Sequence, residues 1–169
     1  LCIDHFPGIN PYIGLGQLDP AQLLSRYDAR RSVSASQFRF ADEVDRGFAE
    51  HDLKLAETIA RQKTAPVKWV PAALRRWLQE QPDPDTGLGR LEVMALEAVR
   101  RGCRKPWAIY NHAAAAETPP QFWGDTTLWT KINGLADRRQ PLVRIEGPGA
   151  RLPQWVGDFN LQDFEVTPC

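Results

Sequence analysis

The sequence predicts a mainly α-helical chain that closes on a small two-stranded sheet. Three observations carry this expectation. Apolar residues recur at three- and four-residue intervals over most of the chain, helix-starting residues stand at the head of those stretches, and period-two alternation is confined to two short runs near the C-terminus, residues 142–146 and 164–167.

The first residues break the pattern. Leu1, Cys2 and Ile3 read as the end of a short buried strand that opens onto Asp4, His5, Pro7 and Gly8. One strand is unstable alone, and the chain does not start with methionine, so residues 1–18 are expected to be the strand end and loop of an upstream α/β domain. Clefts in α/β proteins form at the C-terminal ends of strands, which makes Asp4 and His5 candidate cleft residues. The Gly14-Leu15-Gly16 triplet that follows has neither the lysine nor the spacing of a phosphate loop.

Residues 19–80 predict a helical domain. Asp19-Pro20 opens a short helix carrying Leu23, Leu24 and Tyr27, because Asp caps and Pro suits the first helical position. Ser34 and Gln37 have capping-box spacing, and Phe40, Val44 and Phe48 follow at i,i+4 intervals with Phe38 and Ala41 beside them. That helix should face a core and end near Glu50. Asp52 caps a third helix with Leu53, Ala56, Ile59 and Ala60 inward, and Pro66 stops it. Pro71 starts a fourth, with Leu74, Trp77 and Leu78 inward and Arg75 and Arg76 outward. Residues 81–87 set two prolines and a glycine among acids, a composition that favours an extended exposed linker.

Residues 88–169 predict a winged-helix-like domain. Leu88, Leu91, Met94, Ala95 and Ala98 recur at helical spacing with Val99 beside them, and Gly102 supplies the stop. Pro106 opens an alanine-rich helix, and the TPPQFWG segment reads as a rigid turn. Asp125 is the expected cap of the next helix, whose inward stripe is Leu128, Ile132 and Leu135, flanked by Trp129 and Ala136. Pro141 ends it. The first alternating run is then a half-buried strand, residues 147–163 a long loop with Trp155 and Phe159, and the second run an antiparallel return strand. Helix, helix, helix and a two-stranded β wing is the resulting order.

Composition limits what this order can do. Lys plus Arg equals Asp plus Glu at 21 each, so the strong positive field of a nucleic-acid protein is missing from the chain as a whole. Between residues 88 and 146 the balance is nine Lys or Arg against six Asp or Glu, a net +3, so any basic surface is local and mild. Within the candidate recognition helix and wing, Thr127, Thr130, Lys131, Arg138, Arg139 and Arg144 are the expected nucleic-acid-binding residues, with Asn133 also placed away from the apolar stripe. In the RRGCRK run, Arg100 and Arg101 are equally explained as cations at a helix C-terminus. Six tryptophans are expected to fill cores and the junction between halves.

Catalytic chemistry is sparse. His5, His51 and His112 are far apart, and the Asp4–His5 neighbours are the candidate pairing of a carboxylate with a histidine. No nucleophile elbow, metal motif or cofactor motif is present, so no cofactor or metal is expected. Cys2, Cys103 and Cys169 are odd in number and dispersed, as for reduced thiols in a cytosolic protein. No apolar run approaches the roughly 20 residues that span a bilayer.

CIDHFPG followed by YIGLGQLDPAQL, the RRSVSASQF helix start, AALRRWLQE, TGLGRLE and GDTTLW together resemble, in order and over nearly the whole chain, the C-terminal half of a widespread bacterial family of unknown function. Members of that family are often labelled sigma-factor-like. The resemblance implies an upstream α/β domain in full-length members, no established activity and no catalytic residue to carry over. The chain departs from the pattern at Gly89, where a Ser-type cap is expected. Two functions follow as expectations: a DNA-binding or transcription-associated module, or a non-catalytic scaffold and protein-interaction module attached to an upstream α/β domain that carries any chemistry.

Overall fold

The computed structural model describes residues 6–9, 14–28, 30–118, 121–154 and 159–169. The expected strand at Leu1–Ile3 and the candidate cleft residues Asp4 and His5 lie outside these residues, as does Trp155. Among the described residues the chain forms seven α-helices and one two-stranded sheet, in two compact units, Leu1–Gln79 and Glu80–Cys169.

In the first unit, α1 (Pro20–Tyr27) is started by Asp19, whose carboxylate accepts from Gln22 N–H at 2.8 Å while the Gln22 side chain accepts from Asp19 N–H at 2.9 Å. The same reciprocal box, Ser34 with Gln37, starts α2 (Ala35–Ala49). Asp52 caps α3 (Leu53–Ala60), accepting from Leu55 N–H at 3.0 Å. Helix α4 runs Val70–Leu78 with Pro71 in its first turn. The α3 helix packs against both α2 and α4, and the three close over Phe40, Ala56, Ile59, Ala60, Val70 and Leu74.

Two expectations fail here. Arg76 does not point outward: it is 7 % exposed, whereas its neighbour Arg75 is exposed and donates to Ala60 O at the end of α3. Arg75 and Arg76 both lie off the Leu74, Trp77 and Leu78 stripe, and in a helix of nine residues packed on α3 one of these positions is covered. The α2 stripe does not all face the core either, because Phe40 is buried while Phe38 and Phe48 stand 60 % and 56 % exposed.

The second unit opens on residues 81–87, which form a tight turn and not an extended linker. Asp83 Oδ1 accepts from Asp85 N–H, Thr86 N–H and Thr86 Oγ1 at 2.9–3.1 Å, its N–H donates to Leu88 O, and Gly87, at φ +65°, donates to Asp83 O. Those donors hold the Asp83 carboxyl below its ordinary pKa, the Thr86 backbone N–H first and the Thr86 hydroxyl second. Side-chain hydrogen bonding from Asp thus replaces the solvated spacer that prolines and acids alone suggest.

Helix α5 (Arg90–Arg100) starts at Gly89, and the reason for glycine is steric. A Cβ there would stand 2.6 Å from Glu80 O, so a serine cap does not fit. Carboxylates from elsewhere take over the capping, with Glu92 accepting from Gly89 N–H at 2.8 Å and Glu80 from Leu91 N–H at 3.0 Å. At the other end Gly102 N–H donates to Val99 O and Cys103 N–H to Ala98 O, a Schellman ending with Gly102 at φ +95°.

Helices α6 (Pro106–Ala116) and α7 (Asp125–Ala136) pack on α5, and α7 leads into β1 (Val143–Glu146). The N-cap of α7 is Gly124, which places Asp125 inside the first turn. An acid there still favours the positive helix end. Strand β2 (Glu165–Pro168) returns antiparallel, pairing Val143 with Pro168 and Ile145 with Val166. Val166 N–H also donates to Arg104 O at 2.8 Å, so the connection between α5 and α6 flanks β2 on its other side. The core is continuous from Leu91 and Val99 through Trp129 and Ile132 to Phe164 and Val166.

Trp123 and Trp129 are buried as the core-filling reading requires, and Tyr110 links them through ring contacts at 5.4 and 6.3 Å. A buried carboxylate completes the cluster: Glu117 accepts from Trp123 Nε1 at 2.6 Å and pairs with Arg90 at 3.1 Å. Burial of that charge is offset by an indole N–H and a guanidinium.

Candidate functional site

Helix α7 was the expected recognition element, and its three faces have separate partners inside its own unit. Leu128, Trp129, Ile132 and Leu135 point into the core. A second stripe meets the loop after β1. Thr130 Oγ1 donates to Thr126 O and stands 2.5 Å from Gln154 Oε1, Asn133 accepts from Leu152 N–H at 2.8 Å and donates to Leu152 O at 2.9 Å, and Asp137 pairs with Arg151 at 3.0 Å. Asn133, expected on the polar face, is only 2 % exposed. An amide can occupy a core position when it satisfies a backbone N–H and C=O together, and here it does so for Leu152.

The third stripe meets residues 80–92. Lys131 lies 3.8 Å from Glu80, and Arg138 donates to Gly87 O and Thr86 O at 3.3 and 3.5 Å. Gly134 lies on this stripe but is not a close-packing glycine, since a Cβ there would meet only Glu92 Oε1, at 3.9 Å.

Of the six expected nucleic-acid-binding residues, Thr130, Lys131 and Arg138 are therefore engaged in holding the unit together. Thr127, Arg139 and Arg144 are exposed, and among the described residues no side-chain partner is found for them. The RRGCRK run is similarly occupied. Arg101 pairs with Glu97, Arg104 donates to Val99 O at the end of α5, and Lys105 bonds Gln162 O and Glu165. Most of the mild positive balance is spent inside the fold.

The first unit offers the opposite geometry. Between α2 and α4 lies an apolar groove of about 880 Å³. Its floor is Phe40, Val44 and Leu74. Its walls carry Phe38 and Phe48 from α2 and Trp69, 40 % exposed, from the head of α4. At one end the Phe48 and Trp77 rings meet tilted by 45° at 5.1 Å and His51 meets the same indole edge-on at 5.7 Å. At the other, Gln37 donates to Pro66 O at 3.2 Å and ties the start of α2 to the segment before α4. Asp45 is the one charged side chain in the lining.

None of the residues lining this groove is among the candidate residues that the sequence offers. The signal was present in the spacing of Phe38, Ala41, Asp45 and Phe48, a second stripe on α2 turned away from Phe40. Among the described residues no group of three or more His, Cys, Asp or Glu is placed to hold a metal, and no helix is long and apolar enough to cross a membrane. His51 and His112 sit in different units, and Cys103 and Cys169 are free thiols. No protein-family model matches the chain, and no curated protein or solved structure is significantly similar to it.

Proposed function

We propose that this chain is a protein-interaction module whose N-terminal helical unit receives an apolar helical segment in the α2/α4 groove, working beside an upstream domain that carries any chemistry. The observation behind this reading is the exposure of Phe38, Phe48 and Trp69 along one groove. Large apolar side chains gathered in one place mark binding surfaces, whereas scattered ones do not. The α2 stripe from Phe38 to Phe48 spans ten residues, about 15 Å of helix axis, which matches roughly three turns of a docked helix. Trp69 and Trp77 line the groove and report its filling through their emission.

The test is titration with an uncharged amphipathic helical peptide, leucine on one face and glutamine elsewhere, read by tryptophan emission. Saturable binding that drops at least tenfold in a Phe38→Ala, Phe48→Ala double variant supports the reading. A wild-type chain that responds neither to this peptide nor to one carrying lysine on its flank would sink it.

A second reading rests on the C-terminal unit. Three helices and two strands in that order, with β2 between β1 and the α5–α6 connection and with Arg139 and Arg144 open, support the winged-helix expectation. Nucleic-acid contact by that unit predicts duplex binding at low salt that Arg139→Ala and Arg144→Ala weaken equally on unrelated sequences. With Lys131 and Arg138 held by the fold, this is the weaker reading.

A further inference from the structure

We infer that the segment taken by the α2/α4 groove is a basic amphipathic helix of a partner protein, with a Lys or Arg placed to meet Asp45. This rests on the groove reading above and adds the chemistry of the occupant. Asp45 stands on the same face of α2 as Phe38, Ala41 and Phe48, and among the described residues no other charge lines the groove. It is exposed, and among the described residues it has no ion-pair or hydrogen-bond partner.

The selection follows from desolvation. An occupant that covers Phe38 and Phe48 also covers the carboxylate between them. Covering an ionised carboxylate without a partner is strongly unfavourable, and bringing a second carboxylate to it is worse. A cation on the flank of the incoming helix removes the penalty and sets the register of docking. The apolar wall thus gives affinity, and Asp45 gives the sign of the partner.

Three helical peptides of equal length test this, each with leucine on one face and with lysine, glutamine or glutamate on the flank, titrated at low salt against the full chain. The lysine peptide is expected to bind roughly fivefold or more tightly than the glutamate peptide. Asp45→Asn should abolish that preference and Asp45→Lys reverse it, with far-UV circular dichroism unchanged. Added salt should shrink the preference. Equal binding of all three peptides overturns the basic-partner inference while leaving the groove reading intact, and no binding by any of them overturns both. A concentration-dependent dimer in sedimentation that excludes the lysine peptide would also overturn it, since the occupant would then be a second copy of the chain.

Discussion

Helices α2 and α7 have comparable apolar stripes and lengths in sequence, and they end in different surroundings. On α7 the core, the loop after β1 and the turn at residues 81–87 each take one face, and the residues left exposed are Thr126, Thr127, Gly134 and Thr130, the last bonded to Gln154. On α2 only Phe40 and Gly47 are buried, and Phe38 and Phe48 remain outside. Among the described residues the apolar cluster of the C-terminal unit has eighteen buried members and that of the N-terminal unit six, so the smaller cluster has more to gain from a partner. An amphipathic stripe states that a face will be covered. It does not state by which chain.

The largest effect that sharpens this contrast is a paired truncation. Trp129→Ala should destabilise the C-terminal unit by about 3–5 kcal/mol in denaturant unfolding, because a fully buried indole leaves a cavity. Phe38→Ala should change stability by less than about 0.5 kcal/mol. A loss at Phe38 as large as that at Trp129 would show that the groove is closed in solution and would break the comparison.

Next in size is Asn133→Ala, which strands the Leu152 N–H and C=O. A loss of about 1–3 kcal/mol is expected, with faster hydrogen exchange at Leu152. An unchanged exchange rate would mean the loop does not need this clamp. Gly134→Ala works the other way. With open space around its Cβ, it should stabilise α7 by about 0.5–1 kcal/mol, raising the melting temperature; a decrease would mean that the face toward Glu92 is tighter than the geometry indicates.

The smallest effect is electrostatic. Asp83 has a lowered pKa in the folded turn, so its contribution is present above the unfolded-state pKa and is lost as pH falls through the lower folded value. Acidification should loosen the Thr86 amide before the core melts, and Asp83→Asn should remove that pH dependence. An amide shift at Thr86 that persists in the variant would assign the effect elsewhere.

Much of this fold was legible. Asp19, Ser34 and Asp52 start helices where local chemistry says they should, since a capping side chain reaches a backbone N–H only two or three residues away. The two strands were legible from alternation for the same local reason. The failures share a different physics. Burial of Arg76 and Asn133, the compact turn built on Asp83 and the use of Lys131 and Arg138 inside the fold all depend on partners distant in sequence, or on a side chain bonding its own turn, and hydrophobic periodicity records neither. The groove was missed because the Phe38 and Phe48 positions were read as core.

The bond from Val166 to Arg104 spans sixty-two residues and sets β2 between β1 and the α5–α6 connection. Closing so long a loop is entropically slow, so helices α5 to α7 must find each other before this pairing can reward the chain. On a translating ribosome the three helices emerge ahead of β2, with Val143 still unpaired. Until residues 164–168 have left the ribosome this pairing cannot form, and the face that β2 covers stays open to other chains.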